Sequence, residues 1–383
     1  MKILRNVLIF TVIMTLAFVI SACGSEKTPD VTENTTTTAT ADTTTEPVVT
    51  TTEPVVTTTE APVTTTLAPI TSRTLIPPTD VVLPTPAVTY FEYQIQVPVH
   101  VEEETKLTLE FTQDDVGVGD LILVNSNHAI ADEELLLEEM DTIYGNRAQI
   151  DDKGIYGLLG SDAKADKNAI DAINEMILAY RKEGGTLYPV ITQAYRSVAE
   201  QEAKYREGEK TYGDDTPKYY SVPGCSDYHT GLAFTFKIQI DGASYDLGAS
   251  QAAPFYNWLK DNAYKYGFIF RYPSDKEQYT GIDGTVVPYQ MRYVGKAHSL
   301  FMQQYDLCFE EYIDYIRGYE YGKYHLTMYF IGTQYEIFFV KNEAEINKAE
   351  IAYDAVYEVS GNNADGYIVT IYRDLTIKEE NAQ

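Results

Sequence analysis

Three polar side chains in the middle of the chain have types that suit the binding of a peptide or a carboxylate. Arg196 carries a planar guanidinium, which can bind a C-terminal carboxylate or a carbonyl oxygen. Gln201 follows five residues later, and Ser226 lies beside Pro223 and Gly224 in a turn-rich segment. Arg196 could equally form a structural ion pair with one of the chain's many acids, and Ser226 could serve only the turn. The sequence leaves both interpretations open.

Helix and strand patterns surround these residues. Helical spacing predicts a helix over 166–182 with four apolar residues on one side, namely Ile170, Ile173, Ile177 and Leu178. Further patterns predict strands within 90–111 and over 121–125, 188–192 and 232–240, and helices over 197–207, 253–266 and 296–316. Because these elements mix without a regular βαβ rhythm, we expect an α+β fold with a mixed or antiparallel central sheet flanked by helices.

The C-terminal part, residues 319–383, is predicted to be a β-rich extension. Tyr and Phe alternate with polar residues through 324–330 and 335–340, which is typical of an antiparallel sheet with one buried face. Such a sheet could cover the preceding domain or present a binding surface. An aromatic stripe over 264–272 is expected to belong to the core rather than to a ligand cage.

The N-terminus has the pattern of a lipoprotein signal peptide over residues 1–22. Basic residues precede an apolar run that is too short for a comfortable membrane span and that ends in Ser21, Ala22 and Cys23. These last residues resemble the bacterial lipobox, in which the chain is cut before the cysteine and the thiol is acylated. Two acyl chains on Cys23 would give a stable anchor. An ordinary signal peptide with a chance cysteine is the alternative.

Residues 23–88 are predicted to form a disordered stalk after the lipidated cysteine. The segment is dominated by Thr, Pro, Val and Glu, and a seven-residue unit starting at Thr43 recurs at Thr50. It has too few large apolar residues to bury a core. It would raise the domain predicted over 89–318 above a membrane, either as a stalk through a cell wall or as a passive spacer.

Charge and cysteine content narrow the class of partner. The net charge of −28 argues against nucleic acid as a partner. After Cys23 only Cys225 and Cys308 remain, and the sequence leaves open whether they pair or stay free. We therefore expect an extracytoplasmic protein, attached to the cell membrane through its lipid.

Four segments, read together, resemble the VanY-type D-alanyl-D-alanine carboxypeptidases, which are zinc peptidases that act on cell-wall stem peptides. The segments are 194–197 with Gln201, 223–233, 258–273 and 288–295, and the resemblance extends over about 118–318. It implies the carboxypeptidase-like fold and a peptidoglycan stem peptide or a cell-wall protein as partner. It also implies four substrate-binding residues: Arg196, Gln201, Ser226 and Tyr289, the last in place of the family's Trp.

The family's metal and catalytic positions are replaced in this chain. Tyr228, Thr235 and Gln290 stand where the family has zinc ligands, and Val287 stands where it has the general base. A phenol, a hydroxyl and an amide are poor zinc ligands, and Val287 cannot move a proton. The resemblance with these replacements predicts an inactive, enzyme-like domain with no catalytic residue, no metal ligand and no cofactor.

Three functional hypotheses follow. The first is a lipoprotein that binds a stem peptide or a wall partner through the old cleft without cleaving it. The second is an active zinc carboxypeptidase with a site rearranged around His229, which lies one residue from the replaced ligand position. The third is a structural scaffold. A hydrogen-bonded His229 is the favoured interpretation, because neighbouring side chains on an extended turn point to opposite sides.

Overall fold

The computed structural model describes residues 79–96 and 105–374. The predicted signal peptide, Cys23 and nearly all of the predicted stalk lie outside these residues, so these expectations remain predictions. None of the helices in the two described ranges is long and apolar enough to cross a bilayer.

The described residues contain both strands and helices throughout their length. The strands are β1 Glu92–Gln96, β2 Lys106–Phe111, β3 Met140–Thr142, β4 Gln149–Ile150, β5 Lys153–Gly154, β6 Gly157–Leu158, β7 Lys164–Asp166, β8 Tyr188–Gln193, β9 Ala233–Ile240, β10 Ala243–Asp246, β11 Phe268–Phe270, β12 Gln290–Tyr293, β13 His325–Phe330, β14 Thr333–Lys341, β15 Asn347–Ala352, β16 Val356–Gly361 and β17 Gly366–Asp374. The α-helices are α1 Glu133–Glu138, α2 Ile143–Asn146, α3 Lys167–Lys182, α4 Val198–Tyr212, α5 Ala253–Asn262, α6 Glu277–Thr280, α7 Lys296–Tyr305 and α8 Phe309–Ile316. Short 3-10 helices cover Gln113–Gly117, Gly213–Lys218, Asp227–Thr230 and Ala263–Tyr266.

Two larger sheets organise the molecule. The central sheet has the strand order β11-β12-β9-β8-β6, with β10 paired to β9. Its β6–β8 pair is parallel, and its other described pairs are antiparallel. A second, antiparallel sheet has the order β1-β13-β14-β17-β16. This mixture confirms the predicted α+β class.

Helix α3 packs its apolar side into the core of the central sheet. It begins where the Asp166 carboxylate accepts hydrogen bonds from the backbone N–H groups of Asn168 and Ala169, at 2.8 and 3.3 Å. Ile170, Ile173 and Ile177 are buried, as predicted. Leu178 is 40% exposed, so its placement on the buried side is wrong, and Met176 takes that place in the core.

The second sheet joins strands from both ends of the described chain. β1 pairs with β13, and the separate ribbon of β2 and β15 pairs another early strand with a late one. Helices α7 and α8 pack against one face of this sheet, and its other face packs towards the ribbon. The predicted β-rich character beyond residue 318 is therefore present. The boundary drawn at 318 remains a prediction.

Two predicted elements differ in the structure. The helix expected over 296–316 is interrupted, because Asp306 adopts the left-handed conformation (φ 51°) and Cys308 starts a new helix, with the Glu311 carboxylate accepting from its N–H at 2.9 Å. Residues 121–125 are buried but do not form a strand. Backbone carbonyl groups of this segment instead accept hydrogen bonds from side chains. Arg271 donates to the Val124 carbonyl, and Arg292 donates to the Ile122 carbonyl.

Candidate functional site: a cationic pocket

A cavity of about 170 Å³ lies at the end of β8, between helix α4, the turn before β9 and the start of β12. Six of the predicted site residues line it: Arg196, Gln201, Ser226, Tyr228, Val287 and Gln290. The sequence segments that suggested a binding site therefore meet at one place. The packing of helix, turn and strand brings residues nearly a hundred positions apart to the same cavity.

Two of the predicted site residues do not line the cavity. Tyr289 packs edge-on against Tyr256, with ring centroids 5.4 Å apart, and a Cβ at Gly248 would collide with its hydroxyl. The expected role of Tyr289 as the aromatic wall is not supported by this position, because the ring packs against Tyr256 and Tyr289 is not among the residues that line the cavity. Thr235 lies behind Tyr228, to which it is hydrogen-bonded.

The cavity also has lining residues that the sequence did not single out. They are Gln193, Lys204, Tyr219, Tyr220, Ser221, Tyr272 and Ile282. Lys204 lies one helical turn after Gln201 on α4. Helical spacing could therefore have predicted that these two side chains lie on the same side of the helix. The aromatic pair Tyr219 and Tyr220 directly precedes the turn-rich segment but shows no periodic pattern, so only the tertiary structure identifies it.

Arg196 is held in place by neutral groups. Its Nη1 donates to Gln201 Oε1 at 2.6 Å and its Nη2 donates to Gln193 Oε1, so both acceptors are amide oxygens. Its Cζ lies 4.5 Å from the centroid of the Tyr228 ring, within the range of a cation–π contact. Gln201 is fixed in turn, because its Nε2 donates to the Ser221 carbonyl at 2.5 Å. The guanidinium is therefore oriented by neutral acceptors, and within the described ranges it forms no direct ion pair, although the charge of Glu200 acts on it from a longer distance.

The cavity is positively charged although the chain carries a net charge of −28. Arg196 and Lys204 line it, and none of the described side chains that line it is an Asp or a Glu. Burial, and secondarily the charge of Arg196, lowers the pKa of Lys204. Burial also lowers the pKa of the Arg196 guanidinium, which nonetheless stays protonated as arginines do in proteins. Such a pocket attracts anions.

The residues predicted to stand at the family's metal positions form a neutral polar cluster. Tyr228 Oη and Thr235 Oγ1 are 2.6 Å apart and hydrogen-bonded to each other. Burial raises the pKa of the Tyr228 phenol, so it is not an anionic ligand at neutral pH. Gln290 pairs with Thr235 across β12 and β9, which places both side chains on the same face of the sheet.

His229 points away from this cluster. It is fully buried, its Nδ1 lies 2.7 Å from the Arg196 carbonyl oxygen, and its Nε2 accepts from the Gly224 N–H at 3.1 Å. With Nε2 as acceptor, Nδ1 carries the proton, and both ring nitrogens are used by the backbone. Burial lowers the pKa of His229. This geometry supports the prediction of a hydrogen-bonded histidine and gives no support to a metal site rebuilt around it.

The turn that carries Tyr228 is anchored by a buried network of charges. The Asp227 carboxylate accepts hydrogen bonds from Arg271 Nε at 2.7 Å and from Arg292 Nη1 at 2.6 Å. Arg271 also forms a bidentate salt bridge with Glu310, at 2.7 and 2.9 Å. Asp227, Arg271 and Arg292 are fully buried. Arg292 also donates to the carbonyl groups of Asp120 and Ile122 at 3.1 Å. The network therefore ties the turn to β12, to α8 and to the segment before α1.

Ser226 and the cysteines have structural surroundings. The Ser226 hydroxyl accepts from the Tyr228 N–H at 3.4 Å and starts the short helix Asp227–Thr230, so it serves the turn while also lining the cavity. Cys225 and Cys308 are both free.

Comparisons with known proteins agree with this fold. The family model described as D-alanyl-D-alanine carboxypeptidase (VanY) matches residues 162–296. The D-alanyl-D-alanine carboxypeptidase of Enterococcus faecium is 33% identical over 273 residues, covering 69% of this chain and 79% of that protein. This chain belongs to the VanY family. The VanY-type domain that the sequence motifs predicted is thereby confirmed.

A solved structure extends the match to most of the fold. The vancomycin-resistance D,D-dipeptidase VanXYg, in complex with a D-Ala-D-Ala phosphinate analog, is 27% identical with a TM-score of 0.59. The match covers 70% of this chain and 99% of that one. The chain therefore shares its fold with a protein that has been solved with a ligand of the D-Ala-D-Ala type.

The prediction that no cofactor is associated with this chain is contradicted by its relatives. A solved VanY D,D-pentapeptidase, 25% identical with a TM-score of 0.38 over 51% of this chain and 98% of that one, was obtained in complex with Zn(II). The side chains predicted to stand at the family's metal positions are a phenol, a hydroxyl and an amide, and no group of three His, Cys, Asp or Glu side chains within the described ranges could hold a metal ion. These side chains do not fit the usual zinc donor set.

Proposed function

We propose that the pocket of this VanY-family protein binds the C-terminal end of a peptidoglycan stem peptide without hydrolysing it. The VanXYg relative, solved with a D-Ala-D-Ala phosphinate analog, supports a ligand of the D-Ala-D-Ala type. A stem peptide of this kind ends in a free carboxylate, which suits a cationic pocket.

The observation that carries the proposal is that neutral groups hold the Arg196 guanidinium in the cavity. The guanidinium is oriented by two amide oxygens and by the Tyr228 ring, and no acid lines its cavity in the described part of the chain. A structural ion pair, the alternative that the sequence left open, is therefore not what positions it. A guanidinium that is oriented by amide oxygens in a partly buried cavity is suited to a carboxylate ligand.

The absence of turnover is proposed from Val287 and from the Tyr228–Thr235 pair. Val287 lines the cavity at the family's general-base position and has no titratable group. A general base alone typically contributes ~10²–10⁴-fold to the rate. Tyr228 and Thr235 are hydrogen-bonded to each other as neutral hydroxyl groups, and neither is a base that could activate a water molecule at neutral pH.

Binding can be tested with the full-length protein in detergent by isothermal titration calorimetry. The ligand is a synthetic stem peptide ending in D-Ala-D-Ala, and the matched control is the same peptide as its C-terminal amide. We expect the acid to bind and the amide to bind about tenfold or more weakly, since a hydrogen-bonded charge contributes about 1.5–3 kcal/mol. Arg196→Ala should remove this preference. Arg196→Lys keeps the positive charge but loses the planar guanidinium, so it should retain part of the preference for the acid.

Turnover can be measured in the same samples by mass spectrometry, with and without added Zn²⁺. We expect no release of D-Ala above that of buffer with the same additions. Release by the wild-type protein that Arg196→Ala abolishes would overturn the non-hydrolytic part of the proposal and establish a carboxypeptidase. Equal affinities for acid and amide would overturn the carboxylate-binding part, and would favour a wall-protein partner or a scaffold.

We further propose that the pocket faces the cell wall from a lipid anchor on Cys23, with residues 23–88 as the stalk. The support is the lipobox-like sequence and the Thr/Pro-rich composition that follows it. Mass spectrometry of the N-terminal peptide should find acyl chains on Cys23 and no residues 1–22. Cys23→Ser should remove the acylation, and the protein should then move to the aqueous phase in a detergent phase partition. An unmodified Cys23 in membrane-associated protein would contradict this proposal.

A further inference from the structure

Gln290 presents a buried hydrogen-bond donor without a partner. Its side chain is only 4% exposed, and its Nε2 has no hydrogen-bond partner among the described residues. The same residue lines the cavity that contains Arg196. Burying an amide N–H group without a partner is unfavourable, and the great majority of buried polar groups are paired. A buried, unpaired donor on a residue that lines a cavity therefore suggests that a ligand supplies the acceptor.

The surroundings of Gln290 explain why its own chain does not satisfy it. Thr235 lies directly opposite on β9 and on the same face, but its hydroxyl is paired with the Tyr228 phenol at 2.6 Å. Gln201 and Gln193 direct their amide oxygens to Arg196. These polar groups around the cavity are thus engaged with each other, and the Gln290 amide N–H is left over.

The chemistry of the donor selects the part of the ligand that it would bind. An amide N–H requires an acceptor, and a peptide ligand offers carbonyl and carboxylate oxygens but not its own N–H groups. If Arg196 takes the terminal carboxylate, the next acceptor along the peptide is the carbonyl oxygen of the terminal peptide bond.

We propose that Gln290 Nε2 donates a hydrogen bond to the carbonyl oxygen of the terminal peptide bond, while Arg196 binds the terminal carboxylate. This inference rests on the proposed function and narrows the ligand class. The pocket would select an N-acylated amino acid, such as the end of a peptide, over a free amino acid that lacks the carbonyl group. Gln290 is thereby a specificity residue of the binding site, at a position where the family has a metal ligand.

The test is a thermodynamic double cycle, in which the wild type and one variant are each titrated with two ligands. Affinities are measured by isothermal titration calorimetry on the full-length protein in detergent. Gln290→Met keeps the length of the side chain and removes the donor. The second ligand is the D-Ala-D-Ala peptide in which a trans-alkene replaces the terminal amide, so that the carboxylate stays and the carbonyl is lost. We expect Gln290→Met to weaken binding of the peptide about tenfold and to leave the affinity for the alkene analog unchanged.

Further controls separate this inference from folding and from the proposed function. Gln290→Met should melt at the wild-type temperature or above it, because it removes an unpaired buried group. Gln290→Glu, which has the same shape but an acceptor in place of the donor, should weaken peptide binding at least as much. Equal effects of Gln290→Met on both ligands, or no effect on either, would overturn the role of Gln290 while leaving carboxylate binding intact. If wild-type protein binds neither ligand, it is the proposed function that fails.

Discussion

Asp227 and Tyr228 are neighbours in one short helix, yet they belong to two very different polar regions. Asp227 joins a charged network in which it meets Arg271 and Arg292, all three with fully buried side chains. Tyr228 joins the neutral cluster with Thr235 and Gln290. The first region connects the turn to the rest of the fold, whereas the second borders the ligand cavity. The Asp227 carboxylate of this turn is thus surrounded by several partners. The side chain of the turn that lines the cavity, Tyr228, is neutral.

The two regions therefore have different consequences when they are disturbed. A buried ion that loses its partner is left uncompensated at low dielectric, which is costly. A neutral hydroxyl or amide that loses its partner costs much less. The charged network should thus determine stability, and the neutral cluster should determine which ligand binds. The following predictions separate the two roles.

The largest effect is expected from the charged network. Arg271→Met removes the bidentate ion-pair partner of Glu310 and leaves Asp227 with Arg292 as its ion-pair partner in the network. We expect the free energy of unfolding to fall by about 3–5 kcal/mol, measured by urea denaturation. The matched control is Arg206→Ala, which breaks an exposed pair with Glu202 on α4 and should change stability by less than about 1 kcal/mol. Similar losses from the two variants would contradict the special role of the network.

His298 sharpens the comparison, because it is a buried titratable group whose ring nitrogens meet neutral hydroxyls. It lies in α7, where its Nδ1 is 2.6 Å from Tyr312 Oη and its Nε2 is 3.0 Å from Thr370 Oγ1. Burial lowers the pKa of His298 to about 3. Asp120 and Glu358 line the small cavity that His298 also borders.

The direction of the pH effect follows from this shift. Between about pH 6.5 and pH 3 the unfolded chain binds a proton at His298 while the folded chain does not, so stability falls as the pH is lowered through this window. We expect this residue to contribute a slope of about 1.4 kcal/mol per pH unit. Urea denaturation at several pH values should show a shallower dependence for His298→Gln than for the wild type. An unchanged slope would mean that His298 is protonated in the folded protein.

The smallest effect on stability is expected in the neutral cluster. Tyr228→Phe removes the hydrogen bond to Thr235 but keeps the ring under Arg196. We expect a loss of about 1 kcal/mol in the free energy of unfolding and little change in affinity for the acid form of the stem peptide. Thr235→Val is the matched partner, and the double variant should lose less than the sum, because no unpaired hydroxyl remains. Additive losses would show that the two hydroxyl groups do not depend on each other.

Much of the fold was predictable because it depends on local patterns. The helix that begins after Asp166 shows apolar spacing and an N-terminal cap, and both are local properties of the chain. The sequence also predicts that Tyr228, Thr235, Val287 and Gln290 replace the family's metal and catalytic residues, since a motif records residue type and order. Local spacing failed at Asp306, where one residue in the left-handed conformation divides two helices with the same periodicity.

The sequence by itself determined the family and the α+β class, since these depend on which residues follow one another, and it predicted which residues stand at the family's catalytic positions. The tertiary structure decided the rest. It turned Tyr289 towards Tyr256, brought Lys204 and Tyr220 to the cavity, and left Gln290 Nε2 without a partner among the described residues. Periodicity shows which face of an element is apolar. Which side chains share a cavity, and which donors remain unpaired, depends on the packing of elements that are far apart in the chain.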